Sequence, residues 1–443
     1  MPAPAPAEPA TSSSARPRSL AFHRNFRQLW IGDALGQFGA QLAMLALPIY
    51  AVSTLHATEW QMGALTAAET AAFLLIGLPA GAWVDRMRKR RTLIVADLVR
   101  AAVLAVVVVT ALSGHGSMPL LYAAGLLMSA ATVFFDVSHQ SYVPGLVGLE
   151  HIVEGNSKLQ ATQSVAAVVG PAVGGVLLRV VTAPALLAGT AVTYLASATF
   201  VGRIRHEEVL PAREGRRPLR VEITAGLRFV VREPLLRRIV ACTSLGNFAG
   251  SISGALFVIY ALRVLGLNEA SLGVVFSASS IGGIVGAVLA DRLAGWIGTG
   301  RTIALSALAW VPALALTPLA VPLTDVGVPA AAALVAGGVL GSFFVVVYNV
   351  AQVSFRQRLC PPALLGRMNA SVRFIVWGTM PLGGLLGGFL GTHLGVVPTL
   401  WVAVGGSLLA SLPVVLSPMV RMRDLPGLAD TSEAPEVSDG VGR

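Results

Sequence analysis

Two cysteines, two lysines and charged side chains at only 12% of positions are what this 443-residue chain is shortest of. Cys242 lies in an apolar run and Cys360 in a basic loop, and neither has a partner at metal-ligand spacing, so neither a disulfide framework nor a metal site is expected. With lysine confined to Lys89 and Lys158, no phosphate-cradling glycine-rich loop ending in lysine exists, and no Ser/His/Asp arrangement stands out. The sequence therefore offers no signal for an ATP-driven pump or a membrane enzyme, and none for a cofactor. Residues 1–23 are rich in Pro, Ala and Ser and lack an apolar stretch, which reads as a disordered cytoplasmic tail and not a cleaved leader. Scarce charge, 55% hydrophobic residues and a mean hydropathy of +0.73 exclude a soluble globular chain.

What is present is length in apolar runs. Twelve can be counted, at roughly 29–53, 60–84, 92–112, 119–138, 161–181, 185–202, 239–262, 270–290, 302–321, 328–350, 371–391 and 397–418. Each approaches the ~20 residues that cross a ~30 Å hydrocarbon core as a helix. The expected fold class is an all-α membrane protein of twelve transmembrane helices, with both termini on one side. Of the 32 Lys and Arg residues, 30 fall on the side of the termini, and only Arg179 and Arg263 fall opposite. This asymmetry places the termini and basic loops in the cytoplasm and the chain in a plasma membrane, and the Arg-rich, Ala/Gly/Val-rich composition points to a bacterium. The net charge of +10 is then loop charge and not a nucleic-acid surface. The expected layout is a tail (1–23), a six-helix half (24–202), a cytoplasmic linker (203–238), a second half (239–420) and a tail (421–443). The linker carries ten arginines, which suits anionic membrane lipids as partners.

The two halves repeat in their polar residues. Leu35-Gly36-Gln37-Phe38-Gly39 and Pro48-Ile49-Tyr50-Ala51 recur as Leu245-Gly246-Asn247-Phe248-Ala249 and Val258-Ile259-Tyr260-Ala261, all 210 positions on. Asp85-Arg86 recurs as Asp291-Arg292, and Asp136-Val137-Ser138-His139-Gln140-Ser141-Tyr142 as Asn349-Val350-Ala351-Gln352-Val353-Ser354-Phe355. Apolar similarity alone would not keep polar residues in register.

Between the second and third runs lies a dense cluster, Gly81-Ala82-Trp83-Val84-Asp85-Arg86-Met87-Arg88-Lys89-Arg90-Arg91. It resembles the loop between helices 2 and 3 of the major facilitator superfamily, with Gly81, Asp85, Arg86, Lys89 and Arg90 on the pattern and Arg88 where a second glycine would stand. Phe26-Arg27-Gln28-Leu29-Trp30-Ile31-Gly32, Asp97-Leu98-Val99-Arg100, Phe355-Arg356-Gln357-Arg358 and Gly366-Arg367-Met368-Asn369 resemble the twelve-span drug and macrolide efflux branch, also described as transmembrane secretion effectors. Gly170-Pro171-Ala172-Val173-Gly174-Gly175 looks like part of that superfamily's antiporter motif, with Ala166 at its upstream glycine. The resemblance implies two halves rocking about a substrate site near the bilayer midplane.

Ionisable groups inside apolar runs cost ~2.5–3.5 kcal/mol even on mild insertion scales, so each one asks for a reason. Glu69, near the midplane of span 2 without a basic neighbour at helical spacing, is the leading candidate for proton coupling; a protonated, helix-bonded carboxyl is the plainer account. Asp33, a turn inside span 1 near Arg24 and Arg27, is a second candidate, with a structural or gating role favoured. Asp97 and Arg100 stand i, i+3 and can pair. With Gly81, Asp85, Arg86, Lys89, Arg90, Asp136, Asp291 and Arg292 they form an expected inner gate, against simple interfacial anchoring as the alternative; Asp136 is expected to meet the arginines of the cluster. Gln37, Phe38, Gln41, Tyr50, Asn247, Phe248 and Tyr260 are expected to line the substrate cavity. Gly170, Pro171, Gly174 and Gly175 are read chiefly as close packing with a kink.

The function expected from this is a monomeric secondary transporter that exports amphipathic small molecules or drugs in exchange for protons. The rivals are a proton symporter or a lysolipid- or siderophore-type carrier, and a non-transporting membrane sensor, for which the tails are short and polar.

Overall fold

The structure is a computed structural model in which residues 20–84, 86–148, 151–206, 208, 219–361 and 364–422 are described. Among them every regular element is helical: α1 (Arg24–Ser53), α2 (Glu59–Leu75), α3 (Gly77–Val84), α4 (Lys89–Leu112), α5 (Met118–Val147), α6 (Ile152–Leu177), α7 (Ala183–Gly202), α8 (Leu219–Arg232), α9 (Pro234–Ile259), α10 (Glu269–Ile297), α11 (Thr299–Asp325), α12 (Ala330–Leu359), α13 (Leu365–Gly378), α14 (Met380–Leu394) and α15 (Val396–Val415). Among the described residues, ten segments are long and apolar enough to cross a membrane. The two remaining apolar runs form α2 with α3, and α6. The first is interrupted at Ile76, because Pro79 has no N–H to give Leu75 and its ring crowds that carbonyl. The second carries Gln163 within it, and its helix opens on a polar stretch from Glu154 to Gln160.

The repeat read in the sequence is a repeat of helices. Arg24 and Pro234, Glu59 and Glu269, and Lys89 and Thr299 each open helices 210 residues apart. Even a cap is repeated: Thr58 Oγ1 accepts from the Gln61 amide, and Asn268 Oδ1 from the Ser271 amide, at the same offset. Two features differ from expectation. The seventh span begins at Pro234 and not at 239, since nothing in Leu235-Leu236-Arg237-Arg238 breaks a helix, and it ends in a π turn over Tyr260–Val264. The linker holds a helix, α8, whose Val230 joins an apolar cluster with Val240, Met368 and Val372 of the second half.

Both ends of the described chain lie at the end of the bundle that carries the basic loops. The Leu20 amide donates to Glu154 Oε1 at 3.0 Å, and Arg301 Nε donates to the Val420 carbonyl at 3.0 Å. At this basic end each half keeps its own apolar clusters, one around Phe26, Phe135 and Tyr142 and another around Ile239, Phe355 and Met419. At the opposite end a single cluster runs through both halves, from Tyr50 and Met62 to Tyr260, Leu272 and Leu400. Closure there is made by glycine. A Cβ on Gly175 of α6 would lie 2.1 Å from the Gly273 carbonyl of α10, and one on Gly63 of α2 would lie 2.6 Å from the Gly384 carbonyl of α14. Ser277 Oγ donates to the Ala172 carbonyl at 2.9 Å and Arg263 Nη2 to the Val52 carbonyl at 3.3 Å, both across the halves.

Candidate functional site: a charged seam between two halves

The two interrupted spans lie side by side on the seam. Leu74 of α2 is the neighbour of Gly378, and Phe374 of α13 the neighbour of Gly77, so the breaks at Ile76 and Thr379 sit at one level. Next to the breaks, Phe73 and Trp377 meet edge to face with ring centroids 4.5 Å apart. Arg373, one turn earlier on α13, places its guanidinium 5.3 Å from the Phe73 ring and 4.7 Å from the Trp377 ring. The same guanidinium pairs through Nη2 with Asp136 Oδ2 of α5, in the first half. Arg373 is thus a cation of the second half held by a carboxylate and an aromatic ring of the first.

Behind Asp136, one helical turn along α5, His139 begins a second polar group buried inside the first half. His139 Nε2 stands 3.6 Å from Asp33 Oδ1, beyond normal hydrogen-bond reach, and Gln37 Nε2 approaches the same oxygen at 3.5 Å. Asp97 accepts from Ser197 Oγ at 2.7 Å and faces Arg100 Nη2 at 3.3 Å, with both charged residues buried. Arg100 is sandwiched between Phe135 and Tyr194, at 4.3 and 4.8 Å from their ring centroids. Asp97 Oδ1 and Arg100 Nη2 face each other as an ion pair, while Arg100 Nε and His139 Nε2 are buried without a hydrogen bond that meets normal geometry among the described residues.

Several expected positions fall elsewhere. Asp33 is not served by Arg24 and Arg27, which are exposed, but by His139 and Gln37, because α1 turns it into the bundle. Asp136 meets Arg373 and not the basic cluster. Within that cluster Arg90 ties α4 to the end of α7: its Nε donates to the Val201 carbonyl at 3.2 Å and its Nη2 donates to the Gly202 carbonyl. The Lys89 and Arg90 amides donate to Glu208 at 2.6 and 2.7 Å, so a linker carboxylate caps α4. Asp85 lies outside the described residues. Arg86, Asp291 and Arg292 are exposed and make no ion pair among the described residues, and a Cβ at Gly81 would meet nothing within 4 Å.

Of the expected cavity residues, Tyr50 and Tyr260 are 2% and 0% exposed and belong to the apolar cluster of the opposite end; Tyr260 Oη donates to the Thr317 carbonyl of its own half. Asn247 donates to the Val376 carbonyl, also within its own half. Gln41 fills the space left by Gly170, while Leu42 and Leu45 lie over Gly174. Gln37, Phe38 and Phe248 are partly buried. The segment around Pro171 therefore serves packing, with Gly170 and Gly174 facing α1 and Gly175 facing the other half. Glu69 is partly buried, packs against Gly125 of α5, and has no hydrogen bond or ion pair among the described residues.

The sequence reading does not single out Arg373, which lies inside the run 371–391. It also passed over His139, Glu208 and the Phe73–Trp377 contact. An arginine within an apolar run was signal enough for the first; the others depend on helix pairing across long separations.

The family model of the Major Facilitator Superfamily matches residues 29–375. The chain belongs to the major facilitator superfamily. It is a multi-pass membrane transporter of that superfamily's fold. Among curated relatives, it is similar to the enterobactin exporter EntS of Escherichia coli O1:K1 / APEC, 24% identical over 79% of this chain and 81% of the relative. Among solved structures, it is similar to the nucleoside transporter NupG, with a TM-score of 0.68 and 14% identity over 88% of this chain and 98% of that one. It is also similar to a bacterial homologue of the iron transporter ferroportin in its inward-facing state, with a TM-score of 0.69 and 16% identity over 89% and 98%. Other superfamily transporters thus share this fold at identities that speak for architecture alone.

Proposed function

We propose that the protein is a proton-driven exporter of amphipathic, ring-bearing small molecules, working by alternating access as a monomer, with the basic end toward the cytoplasm of a bacterial cell. The observation that carries this reading is the Arg373–Asp136 pair on the seam, flanked by Phe73 and Trp377. A cation, a carboxylate and two rings at the level of two helix breaks offer flat or anionic groups a place to dock and give the halves a contact that can be exchanged for substrate. With the basic end cytoplasmic, the closed end is external and the structure presents its seam inward. Halves 24–202 and 239–420 rock about the two breaks; separation at the closed end releases substrate outside.

Titratable groups support coupling through the first half. Asp33, Asp136 and His139 have as repeat counterparts Thr243, Asn349 and Gln352, which carry no charge. Asp33, His139, Asp97 and Arg100 are mutually within electrostatic reach, and Asp136 adds the seam to that set. A proton arriving there weakens the hold on Arg373 and frees the two halves to move. One charge crossing 100 mV releases ~2.3 kcal/mol, and ~1.4 kcal/mol is a tenfold ratio, so one proton supports roughly a 40-fold gradient of a neutral solute.

Among the rivals, the name of the relatives as enterobactin exporters favours a siderophore-type cargo over a lysolipid and export over import. Drug efflux stays the broader form of the same proposal. The test is transport in proteoliposomes under an imposed pH gradient, using a fluorescent dye and an aromatic siderophore as cargoes. Uphill movement of at least one, abolished by a protonophore, is expected. Gradient-independent movement of both would overturn the coupling, and accumulation toward the basic end the direction.

A further inference from the structure

A groove of about 760 Å³ runs between α4 and α5 on the flank of the first half, away from the seam. Its walls are Val95, Val99, Leu127, Ala130 and Phe134, and Phe134 is backed by Trp83, stacked at 6.1 Å. At its basic end stand Arg88 and Arg91, both exposed, and no carboxylate among the described residues pairs with either. The volume is that of a small-molecule site. From the first residue of α4 to Val99 is ten residues, hence ~15 Å along the helix, about half of a ~30 Å hydrocarbon core. The groove therefore extends from headgroup level to the bilayer midplane within one leaflet.

The repeat supplies a comparison. The second half has a groove of about 530 Å³ where α11 and α12 meet, the counterparts of α4 and α5, and its lining, from Leu293 and Leu305 to Phe343 and Val347, includes no arginine or lysine. Arg301, 210 positions after Arg91, donates its Nε to the Val420 carbonyl instead. Of these two grooves, the first-half one alone joins an apolar slot to cations without an ion pair among the described residues. The first amides of α4 are already taken by Glu208, so an anion there would be held by the two guanidinium groups.

We propose that the α4–α5 groove is a binding site for one anionic phospholipid of the leaflet facing the basic end, an acyl chain lying along Val95, Val99 and Leu127 and the phosphate between Arg88 and Arg91. Arg88 stands where the resembled loop has glycine, so the departure from that pattern is what furnishes the second cation. The site is distinct from the linker, and it does not depend on what the seam carries.

Native mass spectrometry of the full chain in detergent tests this with three probes: phosphatidylglycerol, phosphatidylcholine with the same acyl chains, and glycerol 3-phosphate as the headgroup without tails. One retained phosphatidylglycerol per chain is expected, bound at least tenfold more tightly than either other probe. Arg88→Gln with Arg91→Gln should remove that preference while leaving phosphatidylcholine binding as it was. Val95→Phe, at a position 57% exposed and so able to take a larger side chain into the groove without touching the core, should weaken both lipids. Equal binding of the two lipids by the wild-type chain, tight binding of glycerol 3-phosphate alone, or an unaltered preference in the double arginine variant would each overturn the proposal.

Discussion

The guanidinium of Arg373 on α13 pairs with the carboxylate of Asp136 on α5, across the seam between the halves. Both side chains are about a quarter exposed, so the pair is only partly desolvated and is worth less than the 3–5 kcal/mol that breaking a buried pair costs. If it latches the two halves, Arg373→Asp and Asp136→Arg should each lower uphill transport by tenfold or more with little loss of protein, and the double exchange should recover a substantial part. Transport rates in proteoliposomes, normalised to protein level, read this directly. No recovery in the double variant would confine the pair to contacts made separately with substrate or rings.

Arg90 gives a prediction of the opposite kind. Because it holds carbonyls at the end of α7 and not a partner in the other half, Arg90→Ala should destabilise the fold by about 1–2 kcal/mol, the scale of lost hydrogen bonds from a charged donor. Arg86→Ala, at an exposed position, should stay within about 0.5 kcal/mol of wild type. Thermal unfolding of both variants in one detergent decides the matter; equal stability would return Arg90 to the gate.

At the closed end the seam tolerates nothing larger than glycine at Gly175, where a Cβ would sit 2.1 Å from the Gly273 carbonyl. Gly175→Leu should therefore open that end. A cysteine replacing Ser277, which now donates to the Ala172 carbonyl, should then react several-fold faster with an impermeant thiol reagent from that side. Cys242 and Cys360 are 5% and 1% exposed, so the native background is low. Unchanged labelling would mean that the α6–α10 contact does not hold the end shut.

Much of the architecture was legible because a membrane leaves the backbone few choices: an apolar run must be a helix, and charge must be at its ends. The recurrence of Leu35–Gly39 at Leu245–Ala249 carried the pairing of halves, and the helix starts keep its 210-residue offset. The site was legible only where partners are neighbours on one helix, as with Asp97 and Arg100, 3.3 Å apart. Arg373 and Asp136, 237 residues apart, meet through the docking of halves, which no local pattern encodes. Tyr50 and Tyr260 misled for a related reason. Their repetition marks an equivalent fold position, and that position lies in the apolar cluster of the closed end.

Glu69 separates the two places where a proton can act. It lies ten residues into α2, ~15 Å along the helix, packed against Gly125 of α5 and without a partner among the described residues, whereas Asp33 and Asp97 have His139 and Arg100 at hand. Of these three carboxyls, Glu69 alone faces no cation or histidine among the described residues. Glu69→Gln fixes the uncharged form. If Glu69 is the coupling residue, the variant should exchange substrate down its gradient at close to the wild-type rate and fail to concentrate it under an imposed pH gradient. The wild-type chain in matched proteoliposomes sets the scale, and counterflow confirms that the variant still binds and moves its cargo. Should the variant accumulate substrate as wild type does, Glu69 is a packing residue. Coupling would then fall to the Asp33–His139–Asp97–Arg100 group, and Asp33→Asn would be the variant that loses the gradient.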